Sequence, residues 1–128
     1  MKIGIGCLVL ALALSAAACG KLQKPVPLTV RQESMVTVEA SDFKFAPNHF
    51  QTYQGTSIVF TVRNISGSKH NFTIKDPDGK VLQSTDVEPQ KSVRVKVDFP
   101  HIGVYPFYCN RPFHRTMGMQ GRVEVVAR

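Results

Sequence analysis

From Val93 to Phe99 the chain reads Val-Arg-Val-Lys-Val-Asp-Phe, apolar and charged residues in strict turn. In a helix this order would scatter the valines around the axis. In an extended strand it puts every apolar side chain on one face. The same period of two recurs along the chain. Val36 and Val38 alternate with Thr37 and Glu39, and Ile58, Phe60 and Val62 alternate with Val59, Thr61 and Arg63. Tyr105, Phe107 and Cys109 share one face, and Val123 and Val125 close the pattern. Between these runs stand residue combinations that favour turns: Ala46-Pro47-Asn48, Gln54-Gly55, Ser66-Gly67-Ser68, Asp76-Pro77-Asp78-Gly79 and Glu88-Pro89-Gln90. Short strands at regular spacing, with no convincing helical period, predict an all-β fold: an antiparallel Greek-key β-sandwich. Phe45, Phe60, Phe72, Phe99 and Phe107 are its candidate core. Pro106 interrupts a strand and removes one ladder donor, which predicts an edge position or a missing N–H turned to solvent.

A chain of 128 residues holds one domain. Residues 1–18 read as an export signal: Lys2, an apolar run from Ile3 to Leu14, then Ala16, Ala17 and Ala18 as the small residues a signal peptidase needs. The run is too short and too rich in Gly and Ala for a comfortable membrane span. Cys19 follows at once, and Leu-Ser-Ala-Ala-Ala-Cys-Gly resembles a bacterial lipoprotein signal in which this Cys becomes the acylated first residue. Plain secretion after an Ala-x-Ala site is the alternative. Residues 19–34, with Pro25 and Pro27, read as a tether, and residues 35–128 as the domain. The expected location is periplasmic or otherwise extracytoplasmic, with a lipid on Cys19 as the contact to the membrane.

Of the three cysteines, Cys7 leaves with the leader and Cys19 is set aside for lipid, so Cys109 has no disulfide partner. A lone thiol in an oxidising compartment needs a reason to stay reduced, and a bound metal supplies one. The segment Tyr105–Gly121 adds His114, Met117 and Met119 to Cys109, and His70 stands upstream in Lys-His-Asn-Phe. One Cys, two His and a Met form the ligand set of an electron-transfer copper site. Singly these residues are commonplace; their joint spacing carries the reading. Cys109 ends one strand, His114 and Met119 lie on the following loop, and Gly121 opens the last strand. Zinc held by the same Cys and two His is a competing reading, but zinc takes water or a harder fourth ligand than a thioether. His49 and His101 fall at turns with no partner ligand nearby and read as surface residues.

The charge balance and the histidine count exclude other classes. The formal net charge of +7 favours acidic partners or anionic headgroups. Lys and Arg are scattered, without a basic helix or aromatic-basic interleaving, so no nucleic-acid partner is expected. With two of the four His assigned to one metal, no further copper site of an oxidase can be built. No carboxylate stands near Cys109 to orient a catalytic His, so nucleophilic hydrolysis does not fit, and the chain is not expected to be an enzyme.

The segment around Cys109 resembles the ligand loop of the cupredoxins, the small blue copper proteins. Gly103–Cys109, GVYPFYC, is similar to the Gly-x-Tyr-x-x-x-Cys run of plastocyanin and its relatives. Gly118-Met119-Gln120-Gly121 resembles the Gly-Met-x-Gly that ends that loop, and Lys69-His70-Asn71-Phe72 resembles the upstream His-Asn. The four residues between Cys109 and His114, with Pro112 third after the Cys, resemble azurin; the four between His114 and Met119 resemble plastocyanin. The likeness runs from Val36 to Val126. It implies one type 1 copper ion, with His70, Cys109 and His114 in a trigonal plane and Met119 as the long axial ligand. Met117 competes for the axial place, and the glycines flanking Met119 favour the latter. Met117 then joins Pro112 and Phe113 in an exposed apolar collar around His114, flanked by Arg111 and Arg115. The Asn71 N–H is expected on the Cys109 sulfur, and the Asn71 side chain is expected to tie the two ligand segments together. The implied function is single-electron shuttling by a monomer to a cytochrome or a respiratory oxidase domain. A periplasmic module that binds and ferries copper is the alternative.

Overall fold

The computed structural model describes residues 22–27 and 33–128. The expected leader, residues 1–18, and the expected acylation site Cys19 lie outside the described residues. Among the described residues ten strands follow one another: β1 (Val26–Pro27), β2 (Glu33–Ser41), β3 (Lys44–Ala46), β4 (His49–Tyr53), β5 (Thr56–Asn64), β6 (His70–Lys75), β7 (Val81–Val87), β8 (Ser92–Phe99), β9 (Gly103–Tyr108) and β10 (Gln120–Val126). They form two sheets, ordered β1-β4-β10-β9-β6-β7 and β3-β2-β5-β8. The all-β sandwich read from the sequence is the fold observed.

Alternation does what it must in β5 and β8. Ile58, Phe60, Val62, Val95, Val97 and Phe99 point inward and are buried, while Arg94, Lys96 and Asp98 face solvent. All five phenylalanines expected in the core are there, joined by Phe50. Their rings pack edge-on or tilted. Phe45 meets Phe107 at 5.6 Å between centroids, and Phe72 meets Phe107 at 5.2 Å. Burying one such ring stabilises the fold by about 1.5–3 kcal/mol.

Pairing direction departs from the sequence reading. β2–β3, β5–β8, β6–β7, β6–β9 and β9–β10 are antiparallel, but β1–β4, β4–β10 and β2–β5 are parallel. Alternation reports which face of a strand is buried and carries no information on its neighbour's direction. Pro106 also sits differently from expectation, in β9 at the interior of the six-stranded sheet. Its partner Arg122 gives its own N–H to the Asn48 carbonyl on the far side. The Pro106 ring nitrogen therefore faces β6, whose register with β9 covers only Tyr108 and Phe107. The missing donor falls where the ladder has already stopped.

Within the segment read as a tether, Val26–Pro27 pairs with Phe50–Gln51 along β4. Gln23 and Asn48 exchange two hydrogen bonds: the Gln23 N–H donates to Asn48 Oδ1 at 3.0 Å, and the Asn48 N–H to Gln23 Oε1 at 3.3 Å.

Candidate metal centre

β6 begins at His70, β9 ends at Tyr108 next to Cys109, and β10 begins at Gln120. All three points meet at one end of the sandwich. The loop between β9 and β10 is a series of tight turns: Arg111 O accepts from His114 N–H, Phe113 O from Met117 N–H, and Arg115 O from Gly118 N–H. Met119 is clamped by two bonds, giving its N–H to His114 O at 2.9 Å and accepting at its O from Cys109 N–H at 3.1 Å. Those bonds return the loop to its starting strand and put Cys109, His114 and Met119 side by side. Gly118 has φ +107, a value that side-chain-bearing residues rarely adopt. Gly121 is required for another reason. A Cβ there would lie 2.3 Å from the Asn48 carbonyl oxygen and 2.3 Å from the Phe107 ring.

His70, Cys109 and His114 converge, with one ligand atom from each lying within 4.8 Å of the others. His70 Nδ1 is 3.3 Å from His114 Nδ1, and Cys109 Sγ is 3.4 Å from the same nitrogen. Donors that share a small metal ion at about 2.0–2.3 Å each are separated by such distances. His70, Cys109 and Met119 are fully buried, whereas His114 is half-buried. Met117 is 60% exposed and Phe113 is 80% exposed, so both stand out from the loop beside His114. Burial thus separates the two methionines.

The site is held from behind. The Asn71 N–H donates to Cys109 Sγ at 3.3 Å, as expected. The Asn71 side chain does something other than the expected tie between ligand segments. Its Nδ2 donates to Asp86 Oδ1 at 2.9 Å, and its Oδ1 accepts from Thr73 Oγ1 at 2.5 Å. It binds β6 to β7, because the neighbouring strand offers polar partners on that face. That bond, followed by Lys69, holds the Asp86 carboxyl below the usual carboxylate range.

Several residues around the centre carried no signal in the sequence. Ser66 Oγ lies 2.8 Å from His70 Nε2, and Ser66 is itself held by Asn64 Oδ1 at 2.9 Å. With Nε2 engaged there, Nδ1 is the nitrogen that faces Cys109 and His114. Phe43, at the tip between β2 and β3, lies edge-on to the His114 ring at 5.1 Å. Its neighbour Asp42 puts a carboxylate oxygen 3.8 Å from His70 Nε2. Burial pushes the His70 imidazole below its ordinary value of 6.5; His114 and Arg111 push the same way and Asp42 opposes them. The shift favours the neutral ring, the form that binds a metal.

His49 is not at the surface. It is buried, with Nδ1 2.8 Å from the Gln23 carbonyl and Nε2 3.3 Å from Glu124 Oε1. Of the residues against it, Glu124 belongs to β10 and Gln23 to the segment read as a tether. His101 is exposed, as expected, and its carbonyl accepts the Tyr105 hydroxyl at 2.9 Å.

The donor set decides the metal. A thiolate and two imidazoles, beside a buried thioether and with no carboxylate among the converging atoms, fit one copper ion better than zinc or a hard cation.

Comparisons with known proteins agree. The family model described as "Cupredoxin-like domain" matches residues 5–125. No curated protein sequence matches the chain. Among solved structures, a dithionite-reduced auracyanin from the photosynthetic bacterium Roseiflexus castenholzii is 19% identical, with TM-score 0.64, over 77% of this chain and 99% of its own. Auracyanin A of Chloroflexus aurantiacus, described as a "blue" copper protein, is 14% identical, with TM-score 0.62, over 79% of this chain and 100% of its own. The multicopper oxidase McoA of Aquifex aeolicus is 16% identical, with TM-score 0.63, over 83% of this chain but only 32% of its own. At these identities the likeness establishes a common fold.

Proposed function

The chain belongs to the cupredoxin-like family, and from that premise we propose that it carries single electrons through one type 1 copper. His70, Cys109 and His114 would hold the ion, with Met119 as the fourth ligand. The observation that supports this most is the convergence of His70 Nδ1, Cys109 Sγ and His114 Nδ1 at one end of the sandwich, two of the three residues fully buried. Copper supplies a one-electron couple whose two oxidation states share nearly one geometry when soft sulfur and imidazole hold it. The protein's part is rigidity. Ser66 fixes the His70 ring, the Asn71 N–H fixes the sulfur, and the two backbone bonds of Met119 fix the loop. Little can move when the charge changes.

His114 is the member of the trio that reaches solvent, framed by Phe113 and Met117. Electrons enter and leave along that edge. Arg111 and Arg115 are exposed beside it and steer an acidic partner, a cytochrome or a respiratory oxidase domain. Rates with such a partner fall as salt rises; rates indifferent to salt rule the steering out. The domain acts as a monomer outside the cytoplasm, acylated at Cys19, and is not an enzyme.

Reductive titration of the copper-loaded protein tests the function. An electron carrier keeps its copper through repeated one-electron cycles. Release of Cu(I) to a chelator on reduction would mark it instead as a copper-ferrying module.

A further inference from the structure

The described chain enters the sandwich at one pole and leaves it at the other. β10 starts at Gln120, beside the metal centre, and runs away from it to Val126, so Arg128 lies at the far pole. The N-terminal segment is fastened at the near pole. Gln23 is bonded to Asn48 and to His49, and the Asn48 carbonyl accepts from Arg122 N–H, two residues after the start of β10. From there β1 runs parallel to β4 and away from the metal centre. Leu22 therefore emerges at the same pole as the ligand loop, at the β1 edge of the sheet.

Lengths decide what this means. The three steps of chain from Cys19 to Leu22 reach at most about 11 Å. The seven residues of β10 span about 23 Å. A lipid on Cys19 can hold the copper pole close to the bilayer, and it cannot reach past the sandwich to hold the other pole there. The near pole also carries exposed Phe113 and Met117. Its cations Arg111, Arg115 and Lys24 stand against the carboxylate of Asp42, while Asp86 and Glu88 at the same end are paired with Lys69.

We propose that the copper-end face is turned toward the membrane and docks an acidic redox protein embedded in that same membrane, with its electron port close to the bilayer plane. This rests on the electron-transfer and lipid-anchor readings above. It goes beyond them by excluding partners that dock far from the membrane.

The test moves the anchor. The chain from Cys19 onward, carrying a diacyl lipid at Cys19, is compared in phosphatidylcholine vesicles with a Cys19→Ser chain carrying the same lipid after Arg128. The electron donor is a lipid with a reduced viologen headgroup, which loses one electron as Cu(II) becomes Cu(I). Soluble reduced methyl viologen is the reference. The N-terminally anchored chain is reduced by the viologen lipid faster by about tenfold or more, since the tether sets the effective concentration of the copper edge at the membrane. Both chains react alike with methyl viologen. Equal rates with the viologen lipid overturn the proposal.

Placement is also read without copper. In a Cys109→Ser background, a dye on Met117→Cys is quenched by nitroxide lipids while one on Ile102→Cys is not. Quenching of both alike overturns the proposal even if electron transfer itself has failed against methyl viologen. Binding of the lipid-free Cys19→Ser chain to phosphatidylglycerol vesicles, with the Met117 position quenched, would make the bilayer itself the occupant and overturn the acidic protein partner.

Discussion

The hydroxyl of Ser66 lies 2.8 Å from Nε2 of His70, on the side of the ring turned away from Cys109. It settles which imidazole nitrogen remains for the metal. The ring is fully buried, so Nε2–H has no water to fall back on. Ser66→Ala should cost about 1–3 kcal/mol of stability in the metal-free protein, the penalty of a buried polar group left unpaired. It should weaken copper binding by about 10–100-fold, the usual effect of losing a contact behind a ligand. Urea denaturation and competition with a copper chelator measure the two effects.

The same ring makes stability depend on pH. His70 in the fold takes up a proton less readily than its ordinary value of 6.5, mainly through burial. Unfolded chains therefore bind more protons than folded ones as pH falls from that value toward the lower folded one. Stability of the metal-free protein should be highest above about pH 6.5 and should decline on acidification through this window. Denaturation of wild type and His70→Gln at several pH values measures it; the contribution from this ring is absent in the variant.

Met119→Leu should leave the copper thiolate colour in place and raise the reduction potential. A lost thioether weakens the oxidised ion, which draws more on its donors, than the reduced one. Met117→Leu should change neither, since that side chain stands out in solvent. Redox titration of both variants measures this, and a shift in Met117→Leu alone would reverse the axial assignment.

Gly121→Ala tests the joint between core and loop. The added methyl meets the Phe107 ring and the Asn48 carbonyl, one of them backbone that cannot step aside. Overpacking of this kind costs about 1–3 kcal/mol. Thermal unfolding of the metal-free domain measures the loss, and a melting temperature equal to wild type would show that the loop yields more freely than its contacts imply.

Much of the centre was legible because its signals are local. Cys109, His114 and Met119 stand on one loop between two alternating strands, and a single His before Asn71 completes the set. The buried faces of β5 and β8 were legible for the same reason. What escaped was set by distant contact. Asp42 and Phe43 reach the two imidazoles from a hairpin tip far away in sequence, and nothing in their immediate surroundings marks them. His49 looked like a turn residue because its cover, Gln23, comes from a Pro-containing stretch that gives no strand signal. The parallel partners of β4 were hidden because strand direction leaves no trace in alternation.

The central claim is that Cys109, His70 and His114 hold one copper ion through a thiolate. A visible absorption spectrum of the domain with one equivalent of Cu(II), run beside Cys109→Ser, tests it most directly. The account predicts an intense charge-transfer band in the wild type and none in the variant, with the β-sheet circular dichroism of both unchanged. A colourless copper complex of the wild type, or a band that survives in Cys109→Ser, would contradict it.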